Sequence, residues 1–447
     1  MKITTYLSLI LAVCFGVASC EIDEQIDPNG PSLSGILDNS SVLELNTLVK
    51  GIESSMRNGL SAYVTATGTV ARELYLFDAD PRNLQDLVGL SGTTLDNNTF
   101  YLTGPYISRY RTVKNCNILI EAVANTAVPD SVASGYQGFA NTVKAHELLL
   151  VLNMLDENGI RIEVADPDNI GPFVDKAEAL SQIAGLLDQA VEELNQAGAA
   201  FAFDLSSGYS GFSTPTTFIE FNRAVAARVA LYREQYDETL SLLEASFFDL
   251  DGELNAGPKY VFSTAGGDLL NPVYRVPDQS GDQIIVNNDF IASAEAGDQR
   301  VADKTAPREN PTSLGGFNGT HESRLYDSNV SSIDIIRNEE LILIYAEANI
   351  NTGDLAEGVT AINVIRDAAG LPDYSGPVTE AALVDELLQQ RRYSLFSEGH
   401  RMVDLRRYGR LNEDFVAVDP NRDPDSGEIR SQTVFTQFPV PLSENEE

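Results

Sequence analysis

The chain reads as a mostly α protein: an irregular, tetratricopeptide-like helical-repeat scaffold carrying long loop and short β insertions. Three observations predict this. Apolar residues recur at steps of three and four along most of the 447 residues. One helix–turn–helix pair near the C-terminus has a unit length of about 34 residues, the tetratricopeptide spacing. Two stretches, 78–105 and 251–335, lose the helical period and gain turn residues and aromatics.

The N-terminus comes first. Lys2 is followed by an apolar run from Ile3 to Ala18, and Val17-Ala18-Ser19 leads into Cys20. Small residues ahead of a cysteine predict a lipoprotein signal peptide over 1–19, with Cys20 as the acylated residue. The run is short for a bilayer span and turns polar at Glu21, so acyl chains on Cys20 are the expected anchor. Residues 20–40, with Pro28, Pro31 and several Gly and Ser, read as a flexible tether, and 41–447 as one domain. Of the three cysteines, Cys14 leaves with the signal and Cys20 carries lipid, which leaves Cys116 alone. An intramolecular disulfide is then impossible in the mature chain, and stability rests on packing. A mature chain of about 425 residues is long enough to bury a large core.

Within the domain, Tyr106, Tyr110, Val113, Asn117 and Ile120 share one helical face, with Pro105 expected in the first turn. Phe139, Val143, His146 and Leu150 share another. Asp175 and Glu178 have capping-box spacing before Leu180, Ala184, Leu187, Val191 and Leu194, and Gly198 follows the end. Phe218, Phe221, Val225, Val229 and Tyr232 form a stripe, as do Tyr236, Leu240, Leu243 and Phe247. The clearest pair is Leu341–Ile350, broken by Gly353, and a second helix capped by Asp354 and Glu357 that runs to Gly370 and Pro372. Such pairs stack because neither helix covers its apolar face alone. Short β-like runs (KYVFS, VYRV, QIIV) fall inside 251–335.

A net charge of −36 opposes nucleic-acid binding, which needs clustered Lys and Arg. It favours solubility and disfavours docking on anionic lipid.

At residues 338–409 the sequence resembles the C-terminal signature of the SusD/RagB family. The matching residues are Ala346-Glu347-Ala348, Gly353-Asp354, Asn363 with Arg366, Ala369-Gly370, Arg391-Arg392, Glu398-Gly399-His400-Arg401 and Asp404-Leu405-Arg406-Arg407. Phe438 to Pro441 and the Tyr106–Ile120 helix fit as well, and Glu21-Ile22-Asp23-Glu24 resembles the surface-export signal of this lipoprotein class. The resemblance implies a tetratricopeptide-containing α-helical fold and an outer-membrane lipoprotein facing the cell exterior. It also implies a SusC-like TonB-dependent barrel as partner and an oligosaccharide, or in some members a peptide, as ligand. Gln390 and Ser394 stand where the family commonly has carboxylates, and Met402 where it often has Trp. The residues themselves suggest a structural role for this block. Arg391 shares a stripe with Val384, Leu388 and Leu395, so its guanidinium needs a buried carboxylate, Glu398 or Asp404. Arg391, Glu398, Arg401 and Asp404 are therefore expected to form a core brace.

No enzyme motif is present. His146-Glu147 lacks the second His of a zinc-protease helix, and His146 reads as a core histidine. His321 and His400 are isolated, which makes no metal site, and Ser210 in GYSGF lacks nucleophile-elbow spacing. Asp419, Asn421, Asp423, Asp425 and Glu428 alternate like calcium ligands, but Pro424 stands where the loop needs Gly, so a solvated turn is expected. Glycoside hydrolysis by paired carboxylates is not excluded by counting acids, yet nothing singles out a pair. No catalytic residue, metal or cofactor is expected.

A sugar site needs aromatic faces beside hydrogen-bonding groups. The chain has no Trp, so Tyr and Phe must serve. Tyr75, Phe77, Asp78, Asp80, Asn83 and Tyr101 form the expected ligand cluster, with Tyr274 and Phe317 on the second insertion. The expected function is capture of an oligomeric nutrient, oligosaccharide before peptide, for delivery to the barrel. The alternative is a tetratricopeptide-type surface interaction scaffold without a nutrient ligand.

Overall fold

The apolar stripes find their partners mainly in sequence order, as short connections between helices dictate. The computed structural model describes residues 33–416, 421, 423 and 426–444; the expected signal peptide, Cys20 and most of the tether lie outside the described residues. The last part of the expected tether is helical: α1 (Leu33–Asn39) packs on a later helix. Ser41 and Glu44 cap α2 (Val42–Met56) reciprocally, and α3 (Leu60–Val70) leads into β1 (Leu74–Phe77) and the single turn α4 (Arg82–Gln85).

Then come α5 (Phe100–Ala124), α6 (Asp130–Leu155), the small pair β2 (Ile160–Arg161) and β3 (Phe173–Val174), α7 (Lys176–Gln196), α8 (Pro215–Tyr232) and α9 (Tyr236–Glu244). Each of these helices packs on the next, and α2 and α3 pack on α5. α6 runs through the centre and is buried from Gly138 to Leu155. Two of its buried polar side chains find partners inside: Glu147 takes Arg109 of α5 at 2.9 Å, and His146 Nε2 meets the Tyr260 hydroxyl at 3.1 Å. Cys116 on α5 is buried in the same core. Asp175 accepts from the Glu178 amide at 2.9 Å and starts α7 where the spacing predicts.

The second insertion holds β4 (Lys259–Tyr260), β5 (Gln283–Val286), α10 (Asn288–Ala292), α11 (Gln299–Lys304), β6 (Thr305–Leu314), β7 (Phe317–Ser323) and β8 (Ile333–Asp334). β1 joins it in an antiparallel sheet of order β1-β5-β7-β6, and β4 pairs with β8. KYVFS and QIIV thus contribute strands, whereas Val273–Val276 does not. The chain ends in α12 (Asn338–Thr352), α13 (Leu355–Ala368), α14 (Glu380–Ser394) and α15 (Arg401–Arg407). Gly353, at φ 90°, stops α12, and Asp354 caps α13 through the Glu357 amide. α12 closes the scaffold against α9 and packs on α13 and α14.

Two expectations need correction here. Pro105 lies inside α5, which begins at Phe100, because Tyr101 and Leu102 pull the preceding turn onto the core. In the C-terminal block, Arg391 Nε donates to Asp404 at 2.7 Å, and Arg407 joins from the other side at 3.3 Å. Glu398 instead takes Arg337, and Arg401 donates to the Leu388 carbonyl at 3.2 Å. The four residues do not form one brace, because the left-handed Ser397 and Gly399 turn the Glu398 segment toward Arg337. Met402, at the position where the resembled family often has Trp, packs fully buried, and Ser394 accepts from Arg300 at 3.0 Å. Among the described residues, no helix is long and apolar enough to cross a membrane.

Candidate functional site

Sheet register builds the site. Leu74, Tyr75, Leu76 and Phe77 pair with Val286, Ile285, Ile284 and Gln283, so the strands end with Asp78 beside Asp282. All four β1 side chains are buried; Asp78 is the first to reach solvent. There the chain turns: Asp78 accepts from the Asp80 amide at 2.9 Å and from Asn83 Nδ2 at 2.6 Å, which fixes α4. From the other insertion the loop 276–282 returns opposite it, with Asp278, Gly281 and Asp282 in left-handed conformation.

Between them lies an open groove of about 800 Å³. α3 forms one side through Ser61 and Thr65, Phe100 stands at the head of α5, and Arg275, Gln279 and Ser280 close the rim. Phe100 is 38% exposed. Arg82 covers one side of its ring at 5.1 Å from the centroid and is itself clipped to Asp80 at 2.6 Å. Arg275 donates to Asp282 at 2.9 Å, to the Pro272 and Tyr274 carbonyls, and to Ser61 Oγ at 3.4 Å. Burial raises the Asp78 carboxyl above its ordinary value, with Asp282 and Asp80 adding repulsion. An apolar ring edged by amide, hydroxyl and carboxylate groups suits a sugar, whose C–H face stacks and whose hydroxyls both donate and accept.

Asp78, Asp80 and Asn83 therefore line the groove, but the expected aromatics do not. Tyr75, Phe77 and Phe317 are 1%, 3% and 1% exposed and share a small core under the sheet. The Tyr75 and Phe317 rings lie 5.1 Å apart, and Asn287 donates to the Tyr75 hydroxyl at 2.9 Å. Tyr101 is 1% exposed; its hydroxyl accepts from the Asp96 amide at 2.6 Å and faces Asp86 at 3.3 Å. None of these rings has a face free for stacking. They are core because β1 and α5 point them inward. Tyr274 is half-buried and does not line the groove. Phe100, Arg275, Gln279 and Asp282 were not anticipated; the one signal was Phe100, out of phase with the buried Tyr101, Leu102 and Tyr106 on a helix.

Two further recesses are lined by residues in ion pairs. In one, of about 310 Å³, Arg57 pairs with Asp268 at 2.7 Å and Glu53 accepts the Ser206 amide at 3.0 Å. In the other, of about 600 Å³, Arg300 pairs with Asp298 and Arg337 with Glu339, each at 2.7 Å. Among the described residues no three His, Cys, Asp or Glu side chains converge as metal ligands. Of the calcium-like loop, Asp419 and Asp425 lie outside the described residues; Asn421 is buried, accepting from Arg430 and donating to the Gly315 carbonyl at 2.8 Å.

Residues 301–441 match the sequence model of the SusD family. No curated protein matches the chain by sequence. Solved structures share its fold. A SusD superfamily protein from Bacteroides vulgatus ATCC 8482 superposes with a TM-score of 0.66 at 18% identity, over 91% of this chain and 97% of that one. Surface glycan-binding protein A from Bacteroides fluxus gives 0.63 at 17%, over 91% and 97%. A laminarin-binding SusD-like protein gives 0.63 at 14%, over 92% and 98%.

Proposed function

We propose, from the premise that the chain is a SusD-family protein, that it captures an oligosaccharide in the groove between β1, α3 and the 276–282 loop. The observation that carries this reading is the half-exposed Phe100 ring set beside Asp78, Asn83, Gln279 and Ser280. Similar structures described as glycan-binding and laminarin-binding support it. Binding is by stacking and hydroxyl exchange for water, with no bond made or broken by the protein. The lipid on Cys20 anchors the chain at the outer membrane, facing outward, and a SusC-like TonB-dependent barrel receives the glycan. The absence of Trp leaves Phe100 as the platform, so affinity rests on hydrogen bonds more than on stacking.

The test is twofold. Full-length lipoprotein recovered from mildly solubilised outer membranes should bring a large barrel with it in stoichiometric amount. Phe100→Ala should weaken retention on the polysaccharide that the wild-type protein retains, by roughly tenfold for the loss of 1–2 kcal/mol of ring contact. Recovery without a barrel, together with no glycan retention, would move the chain to the interaction-scaffold reading.

A further inference from the structure

The carboxylates of the groove are not equivalent. Asp80 is held by Arg82 and Asp282 by Arg275. Among the described residues lining the groove, Arg275 is the only Lys or Arg, and three of its four other N–H groups are directed at two carbonyls and at Ser61. Asp78 is different. Its two oxygens each take one neutral donor, the Asp80 amide and the Asn83 amide group, and among the described residues no cation lies within ion-pair distance.

A carboxylate oxygen accommodates about two donors, so Asp78 keeps room for one more on each oxygen. Adjacent sugar hydroxyls supply such donors. A uronate carboxylate or a sulfate group offers only acceptors at neutral pH, and the two cations nearest to it, Arg275 in the groove and Arg82 over the Phe100 ring, are already paired with Asp282 and Asp80. It would also face Asp78, whose half-buried position weakens screening by salt, and the −36 charge of the whole chain.

Building on the capture reading above, we infer that the groove selects uncharged glycans over anionic ones, and that Asp78 is the residue that sets this selection. The ring that stacks on Phe100 presents two neighbouring hydroxyls to Asp78, and chains substituted with carboxylate or sulfate are turned away.

The test uses detergent-solubilised full-length protein on immobilised neutral polysaccharides (laminarin, starch, galactomannan) and polyanions (polygalacturonate, chondroitin sulfate), at low and high salt. Retention on a neutral polymer that is insensitive to salt, with none on the polyanions, is expected. Asp78→Asn should weaken that retention about tenfold, as loss of one charge-assisted hydrogen bond predicts, with an unchanged thermal midpoint as the check on folding. Retention on a polyanion but not on neutral polymers overturns the selection and leaves capture standing. Retention of neither class overturns capture and this inference with it. An Asp78→Asn protein that binds as the wild type does overturns the role of Asp78.

Discussion

Glu322 holds the rim of the groove, although it does not line it. It is 5% exposed on β7 and accepts from Arg308, from Arg324 and, at 3.0 Å, from the Asp278 amide. Arg308 in turn donates to the Gln279 carbonyl at 3.0 Å, and Asp278 accepts from the Glu309 amide at 2.9 Å. The loop that carries Gln279 and Asp282 is thus tied to the β6–β7 hairpin at three points. Glu322→Gln removes the charge, and its amide must direct an N–H at either Arg308 or the Asp278 amide, both donors. Breaking one side of a buried pair costs about 3–5 kcal/mol. If about 3 kcal/mol of that falls on the loop, exchange of the Asp278 and Gln279 amides should accelerate roughly a hundredfold, each 1.4 kcal/mol being tenfold. Hydrogen-exchange mass spectrometry of the peptide covering 276–282 reads this directly, with a peptide from α6 as the unchanged control. A variant that melts earlier while this peptide exchanges at the wild-type rate would refute the reasoning: Glu322 would then support the fold without positioning the groove.

Four other predictions concern the frame. Asp404→Asn leaves Arg391 without its buried counter-charge and should lower stability by about 3–5 kcal/mol, read by urea unfolding. Burial pushes the Glu73 carboxyl from 4.5 up to about 7; a raised folded pKa means that its stabilisation is full below 4.5 and lost as pH rises through 7. Glu73→Gln should remove this fall, so its stability relative to wild type should rise by about 3 kcal/mol between pH 4.5 and 8; a constant difference would contradict the assignment. Gly159→Ala places a Cβ 2.0 Å from the Val174 carbonyl at φ +69°, so β2 and β3 must part and the yield of soluble protein should collapse. The Cys116 thiol, buried and with its pKa pushed up by burial, should resist maleimide in buffer and react in denaturant, measured by mass shift.

The scaffold was legible because amphipathic period and capping residues are local signals. Asp175 and Asp354 mark helix starts by spacing alone, and both cap where expected. The site was half legible for the opposite reason. Asp78, Asp80 and Asn83 sit in a polar turn that any fold would leave near the surface. Whether Tyr75 or Phe317 faces ligand or core depends on pairing between β1 and β5, strands more than two hundred residues apart. A register shift of one residue would reverse every side chain of β1, and no local pattern records that choice. Arg275, Gln279 and Asp282 join the groove by the same long-range pairing, which is why they were missed.

The β4–β8 ribbon has a wider meaning. Lys259 faces Asp334 and Tyr260 faces Ile333, so the whole excursion between them departs and returns at one doorway in the helical frame. For the scaffold, the excursion is a closed loop whose length matters only logarithmically to the cost of joining its ends. Its contents supply the Arg275 side of the groove, so residues inserted or removed between the two anchor strands would reshape that wall without lengthening any helix of the frame.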